Sequence, residues 1–209
     1  QIGVGGLILS NHEKKLVNEV LDSNQLSYGN KTRRFEKMFS KIHQVKHSIF
    51  MNSGTSALHL ALTTLKYKYN WQEQDEVLVP AVTFVATSNI VLHNNLIPIF
   101  VDVENHTYNI DPDKIEKKIT KKTKAIIIVH LLGLPASMSK ILKIAKKYNL
   151  RIIEDSAECM FAKYKNKSVG SFGDIGCFST YMAHYLVTGI GGFATTNNIN
   201  LATNLRSLM

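Results

Sequence analysis

The stretch from Ala125 to Asp155, AIIIVHLLGLPASMSKILKIAKKYNLRIIED, decides the fold. It opens on the apolar run Ala125–Val129 and closes on a second short run, Arg151–Ile153, and both are typical of strands buried on two faces. Between these runs lies a helical stretch, whose apolar positions are Met138, Ile141, Leu142 and Ala145. A strand, a helix and a second strand in this order predict a mostly parallel sheet covered by helices.

The same alternation extends towards the N-terminus. Further β-rich runs lie at Val77–Val79 and Ile97–Val101, and a helix follows the turn Asn52–Thr55. Ser10 and Glu13 have the spacing of a capping box that begins another helix. Behind it, an apolar face is predicted from Leu16, Val17, Val20 and Leu21. We therefore predict an α/β fold of three layers, a mostly parallel sheet with helices on both faces, in which ligands bind beyond the carboxyl ends of the strands.

The organisation of the chain favours one domain over residues 1–209, with a helical segment at its N-terminal end. No internal repeat, low-complexity tract or flexible linker divides the sequence. The chain opens on Gln1 and stops at Met209 inside a helix-like stretch, and we therefore expect a fragment of a longer protein.

Composition excludes several classes of protein. The chain has 209 residues, of which 44% are hydrophobic and 20% charged, so it is neither disordered nor a fibrous repeat. No apolar run is long enough to span a membrane, no secretion signal is recognisable, and the two cysteines suit a reducing compartment. We therefore predict a cytoplasmic protein without a membrane partner or a metal site. The net charge of +9 is spread over the chain, so it indicates a solvated surface or a phosphate-bearing substrate, and nucleic-acid binding would rest on charge alone.

Three polar segments follow the predicted strands. The first, Asn52–Leu58, places small residues at a helix N-terminus, which is either an anion site or an ordinary capped helix start. The second is the pair Glu154 and Asp155 at a strand end, where one carboxylate can face a ligand or both can face solvent. In the third, Gly170–Ser179 and Gly189–Gly192, the glycines predict tight turns and a close backbone approach to a ligand.

Taken in order, these segments resemble the DegT/DnrJ/EryC1/StrS family. The motifs are NSGTSALHLAL, VPAVTFVATSN, FVDVENHTYNIDP, VHLLGLPASM, RIIEDSAE, VGSFGDIGCFS and TGIGGF, which cover essentially the whole chain at the spacing of that family. The resemblance implies a pyridoxal phosphate enzyme with the large domain of the aspartate aminotransferase fold, acting on nucleotide-linked sugars in polysaccharide or deoxysugar biosynthesis. It also implies that the smaller C-terminal domain is absent from this fragment.

The resemblance assigns roles by position. Gly54, Thr55 and Ser179 would hold the cofactor phosphate, and Phe84 would stack on the pyridine ring. Asp155 would pair with the pyridine nitrogen and keep it protonated. Glu158, where most relatives have Gln, would lie near the ring hydroxyl. The substrate-side loop would include Tyr28 and Gly29.

The departure that matters most is at His184. Family aminotransferases have at this position the lysine that forms the Schiff base with the cofactor, and no lysine occurs from Ser168 to Met209. The same exchange marks a subgroup that resembles the 3-dehydratases of 4-keto-6-deoxy sugar nucleotides. In this subgroup the histidine moves a proton for pyridoxamine phosphate, which is not covalently held.

The resemblance therefore favours a C3 dehydratase, with a sugar aminotransferase and a non-catalytic cofactor-binding homologue as alternatives. A nucleotide-linked keto sugar, glutamate as amino donor and a second copy of the chain in a homodimer are the implied partners. Relatives that use an iron–sulfur cluster and a reductase have a cysteine where this chain has Ala157. That difference favours the route without a cluster.

Overall fold

The centre of the molecule is a seven-stranded, mostly parallel sheet. The computed structural model describes residues 8–209, so residues 1–7 of the predicted domain lie outside the description. The strands are β1 (His47–Met51), β2 (Glu76–Pro80), β3 (Ile97–Val101), β4 (Thr123–Val129), β5 (Arg151–Asp155), β6 (Lys163–Tyr164), β7 (Lys167–Ser168), β8 (Ile175–Ser179) and β9 (Gly192–Thr196). In the main sheet the order is β1-β9-β8-β5-β4-β2-β3, and β6 pairs with β7 apart from it. β9 is antiparallel to both its neighbours, and the other pairs of the main sheet are parallel.

Helices cover both faces of this sheet. They are α1 (Asn11–Asp22), α2 (Asn30–Ile42), α3 (Gly54–Lys68), α4 (Val85–His93), α5 (Pro112–Ile115), α6 (Met138–Tyr148) and α7 (Ile199–Leu208). Residues of α3, α4 and α7 form one apolar core with the sheet, and α5 and α6 form a second core with it. The predicted three-layer α/β fold is confirmed. Among the described residues, no helix combines the length and the apolar character needed to cross a bilayer.

Strand β4 shows why the apolar run decides the fold. Ala125 and Ile127 belong to the core on one face of the sheet, while Ile126 and Ile128 belong to the core on the other. All four are fully buried. Because successive side chains of a strand point to opposite faces, a run that is apolar at every position needs helices on both sides.

Helix α1 begins as predicted but does not bury its apolar face. The Glu13 amide donates to Ser10 Oγ at 3.3 Å, and the Ser10 amide donates to a Glu13 carboxylate oxygen at 2.6 Å, which is a capping box. No residue of α1 is buried, and Leu16, Val17 and Leu21 are 37%, 53% and 54% exposed. The helix is thus specified locally, and no described part of the chain covers its apolar side.

One histidine lies inside an aromatic cluster. His43, the residue that ends α2, is fully buried, and its ring centroid lies 4.3 Å from that of Phe39 and 4.4 Å from that of Phe178. Neither ring nitrogen has a hydrogen-bond partner among the described residues. Burial lowers the pKa of this imidazole from 6.5 to about 4, since the charged form would lose its water.

We expect His43 to make stability depend on pH. His43 has a pKa near 6.5 in the unfolded chain and about 4 in the folded state. The free energy of unfolding therefore falls as pH drops through that window, by up to about 3 kcal/mol. Urea unfolding at pH 7 and pH 5 measures the effect. His43→Phe should remove about 2 kcal/mol of the difference between the two pH values. An unchanged difference in this variant would contradict the assignment.

Candidate active site

The candidate site is a cavity of about 440 Å³ at the carboxyl edge of the parallel strands. β5 ends at Asp155 and β8 ends at Ser179, so both side chains arrive at the same edge of the sheet. Seven of the predicted site residues line this site cavity: Gly54, Thr55, Phe84, Asp155, Glu158, Ser179 and His184. The sheet topology therefore brings together residues from four separate segments of the sequence.

The first corner of the site cavity is the N-terminus of α3. Ser53 caps this helix, since its hydroxyl accepts the Ser56 amide at 3.0 Å, and its carbonyl accepts the Ala57 amide. Within the described chain the amides of Gly54 and Thr55 have no such partner, and a helix start with free amides attracts anions. The capped helix start is thus observed, and anion binding at the same turn stays a prediction.

Glycine is required at this corner because other chain segments pack against it. A Cβ atom on Gly54 would lie 2.8 Å from Ser179 Cβ, and one on Gly192 would lie 2.5 Å from the Gly54 nitrogen. A Cβ on Gly191 would lie 2.5 Å from Thr180 Oγ1. The close approach predicted for these glycines is thus observed towards the protein itself, and Gly191 also lines the site cavity, so its approach to a ligand stays a prediction. The close packing of Ser179 on Gly54 places the Ser179 hydroxyl beside the start of α3.

Asp155 forms the floor of the site cavity. Its carboxylate accepts the Thr87 hydroxyl at 2.9 Å and the Ala157 amide at 3.2 Å, and the Thr87 hydroxyl is in turn 2.8 Å from that of Thr83. Burial raises the pKa of Asp155, and the Thr87 hydrogen bond opposes this effect. A desolvated carboxylate of this kind is stabilised by a cationic partner, so its chemistry fits a protonated ring nitrogen.

The neighbouring Glu154 has a different environment. It is fully buried, and its carboxylate accepts the amides of Gly170, Phe172 and Gly173 at 2.7–2.8 Å. His130 Nε2 lies 3.1 Å from the same carboxylate, while His130 Nδ1 accepts the Ala136 amide. Of the two carboxylates predicted at this strand end, Asp155 therefore faces the site cavity and Glu154 ties the loop before β8 to the sheet.

We expect Glu154→Gln to destabilise the fold by about 3 kcal/mol, since an amide group cannot accept all of these donors and leaves some of them buried and unpaired. Thermal unfolding measures the loss. The exposed Glu73→Gln is the matched control, with a predicted change below about 0.5 kcal/mol. Equal melting temperatures for the two variants would show that the Glu154 network is dispensable.

Phe84 stands at the rim of the site cavity. It is the residue that precedes α4, and its ring is 71% exposed. Being exposed on the rim, the ring is available to a planar ligand, and its stacking role stays a prediction.

His184 and Glu158 share the opposite wall. The Leu132 amide donates to Glu158 Oε2 at 2.9 Å, and the His184 amide donates to the Tyr181 carbonyl at 2.9 Å. Burial lowers the pKa of the half-buried His184, while the nearby Glu158 charge acts in the opposite direction. The imidazole is thus neutral at pH 7 and able to accept a proton. No lysine lines the cavity within the part of the chain that is described.

Sequence comparison agrees with this geometry. A family model of the DegT/DnrJ/EryC1/StrS aminotransferase family matches residues 8–209. The chain belongs to this family. The recognition made from the motifs is confirmed, and so is the fold that it implied.

Three relatives illustrate the range of the family. GDP-perosamine synthase of Escherichia coli O157:H7 is 44% identical over 194 residues, which cover 92% of this chain and 52% of that protein. dTDP-4-dehydro-2,6-dideoxy-D-glucose 3-dehydratase of Saccharopolyspora spinosa is 35% identical over 207 residues, covering 97% and 45%. The solved structure of E. coli GDP-4-keto-6-deoxy-D-mannose-3-dehydratase with bound hydrated PLP matches with a TM-score of 0.92 at 31% identity, covering 97% of this chain and 53% of that chain.

These relatives define what is shared. The DegT family includes aminotransferases and 3-dehydratases named for nucleotide sugars, and a solved member holds PLP. The predicted cofactor is thereby confirmed at the level of the family. The chain spans about half the length of the curated relatives it matches, 52% for the perosamine synthase.

Two predicted residues lie away from the site cavity. Tyr28 lines a separate depression of about 560 Å³, and Gly29 precedes the first residue of α2. The Tyr28 hydroxyl donates to the buried Glu36 at 2.8 Å, and Arg206 of α7 binds the same carboxylate at 2.7 Å. Within this chain Tyr28 is held in an ion-pair network, and its substrate role stays a prediction.

Sequence reasoning missed Thr87 and Leu132. Thr87 positions Asp155 through a buried hydrogen bond, and its hydroxyl also lies 2.8 Å from that of Thr83, in the segment before α4. Leu132 contributes only its amide, in a left-handed conformation with φ of 51°. No pattern of side chains in the sequence predicts a contact that is made by a backbone amide. Among the described residues, no group of three His, Cys, Asp or Glu side chains is arranged to hold a metal ion.

Proposed function

We propose that this protein removes the C3 hydroxyl of a nucleotide-linked 4-keto-6-deoxy sugar, with pyridoxamine phosphate as cofactor. The observation that carries the proposal is His184, which lines the site cavity at the position where the family resemblance places the cofactor-binding lysine of aminotransferases. Two of the relatives named above are 3-dehydratases, and this supports the assignment.

Each residue of the site cavity has a role in this proposal. When bound, the cofactor supplies an amine for the sugar ketone and a ring that accepts an electron pair. The α3 N-terminus with Ser179 binds its phosphate, Phe84 covers one face of its ring, and Asp155 holds the proton on its nitrogen. His184 Nδ1 or Nε2, neutral at pH 7, accepts a proton from carbon, and Glu158 lies beside the resulting imidazolium and stabilises it.

Product analysis tests this proposal. With a nucleotide-linked 4-keto-6-deoxy sugar, cofactor and glutamate, a dehydratase that works without an iron–sulfur cluster releases ammonia and 2-oxoglutarate in equal amounts, and the sugar loses one oxygen atom. An aminotransferase releases 2-oxoglutarate without ammonia, and its sugar gains an amino group. Ammonia released in step with deoxygenated sugar is the expected result, whereas an amino sugar would replace the proposal by its alternative.

The sugar aminotransferase is kept as a second candidate because GDP-perosamine synthase, at 44% identity, is more similar to the chain than the dehydratases named above. That reaction would have to proceed with His184 in place of the lysine. The cytoplasmic location and the second, C-terminal domain both stay predictions.

We also propose that the protein works as a homodimer. The mouth of the site cavity carries exposed apolar side chains, among which Phe84, Tyr181 and Ile190 are 71%, 54% and 70% exposed. Exposed apolar side chains grouped at one cavity favour burial against another chain. Light scattering at micromolar concentration should give twice the chain mass, and a monomer that turns over substrate would refute this part of the proposal.

A further inference from the structure

The loop that carries His184 is closed at its base by two threonines. The Thr188 amide donates to the Thr180 carbonyl at 3.0 Å, and the Thr180 amide donates to the Gly191 carbonyl at 2.9 Å. The two threonine hydroxyls lie 2.6 Å apart. We refer to this pair, Thr180 and Thr188, as the threonine clasp. Residues 181–187, with His184 at their centre, form the loop that it closes.

The threonine clasp is tightly packed against its neighbours. Thr180 is fully buried at the end of β8, and the Thr188 hydroxyl also donates to the Ile190 carbonyl at 3.3 Å. A Cβ on Gly191 would lie 2.5 Å from Thr180 Oγ1, 2.6 Å from Thr188 Oγ1 and 2.7 Å from the Phe50 ring. Only glycine at this position lets the two hydroxyls meet, so the clasp rests on three residues rather than on one contact.

Above the clasp the loop makes few further hydrogen bonds, and the partly buried Leu186 packs against the cluster of Phe39, Phe178 and Phe193. The loop's other described hydrogen bonds are those of the His184 amide to the Tyr181 carbonyl and of the Tyr181 amide to Ser179 Oγ at 3.3 Å. Tyr181, Met182 and Tyr185 are 54%, 45% and 69% exposed. The position of His184 within the site cavity therefore depends on the hydrogen bonds that close the base of the loop and on the packing of Leu186.

We propose that Thr188 is a positioning residue, whose hydroxyl, through the threonine clasp, fixes the loop that presents His184 to the reacting carbon. The inference rests on the proposed function, because it assigns a task to a group that acts on His184. A base must lie within hydrogen-bond reach of its proton, and a displacement of about 1 Å lowers the rate by about 100-fold. Thr188 touches neither cofactor nor substrate in this proposal and acts through the loop.

Thr188→Val tests the inference because it keeps the shape of the side chain and removes its hydroxyl. Thr188 is exposed, so the variant is expected to fold with an unchanged melting temperature. Hydrogen–deuterium exchange of the cofactor-free protein should show the amides of residues 181–188 exchanging at least about fivefold faster, which is the loss of about one hydrogen bond. Turnover should fall by about 10- to 100-fold in kcat, with little change in KM for the sugar.

Two controls make the result decisive. Thr188→Ser restores the hydroxyl and should restore both exchange and kcat, and the surface variant Thr203→Val should change neither. Normal exchange and normal kcat in Thr188→Val would overturn the inference, as would a loss of kcat that Thr188→Ser fails to rescue. If the protein is an aminotransferase, the exchange experiment still measures how the clasp affects the loop. The experiment therefore distinguishes failure of the proposal for Thr188 from failure of the proposed function.

Discussion

His184→Asn is expected to lower kcat for deoxygenation by roughly 100- to 10,000-fold, which is the usual contribution of a positioned acid or base. Asparagine is close to histidine in size and cannot accept a proton near neutral pH, so the change removes the proton transfer and leaves the site cavity in place. Cofactor affinity, measured by absorbance titration, should stay within about threefold. The exposed His106→Asn is the matched control and should behave like the unchanged protein.

The pH profile adds an independent check on this prediction. Burial lowers the pKa of His184, so the loss of kcat/KM at acid pH should have an apparent pKa below that of an ordinary imidazole. This loss at acid pH should be absent in His184→Asn. Deoxygenation that survives His184→Asn with an unchanged profile would eliminate the imidazole as the base.

A related variant, His184→Lys, addresses the aminotransferase alternative. A lysine at this place offers a primary amine to a bound aldehyde, so borohydride should attach the cofactor to the protein, and mass spectrometry should find it on residue 184. Unchanged deoxygenation in His184→Lys would contradict the proposed mechanism.

Asp155→Asn is expected to lower kcat by at least about 100-fold and to weaken cofactor binding. The amide oxygen can still accept the Thr87 hydroxyl, but the Ala157 amide, 3.2 Å from the other carboxylate oxygen, loses its acceptor, and the negative charge that stabilises a protonated ring nitrogen is lost. Steady-state kinetics and a fluorescence titration of the cofactor measure the two effects. The exposed Asp22→Asn, whose charge lies on α1, serves as the control.

The same variant should change the melting temperature little, because the relief of a buried charge offsets the loss of the Ala157 hydrogen bond. Burial raises the pKa of Asp155, so its charged form is less favourable in the folded protein than in the unfolded chain, and removing the charge relieves this cost. Loss of activity together with kept stability is therefore the expected signature of a functional carboxylate. A variant that turns over normally, or one that unfolds, would contradict the assigned role.

Much of the candidate site was predictable from local motifs. The small residues of Asn52–Leu58 predicted a helix start, with anion binding as one of two interpretations, and the family resemblance singled out His184, because no lysine occurs from Ser168 to Met209. The helix start at Ser10 was also confirmed, because capping depends on residues a few positions apart. Helix caps are short-range features, so one sequence suffices to predict them.

Other features were beyond local patterns. Strand β9 was not predicted, because Gly192–Thr196 has little apolar periodicity. It forms a strand through pairing with both β1 and β8. The apolar face of α1 was predicted correctly as a pattern, yet the described chain leaves it exposed. A periodic pattern says that a face is apolar, and only the packing of distant segments says what covers it.

The amino-acid sequence by itself determined the α/β class, the family and the residue that distinguishes this chain from family aminotransferases. The α/β class follows from strands that are apolar at every position. The identity of residue 184, a histidine, is given directly by the sequence. Only the tertiary structure decided that Asp155 faces the site cavity while Glu154 ties down a loop, and that Thr87 donates a hydrogen bond to Asp155. The physical reason is that these contacts join positions far apart in the chain, and their partners are set by strand order and register, which local periodicity does not encode.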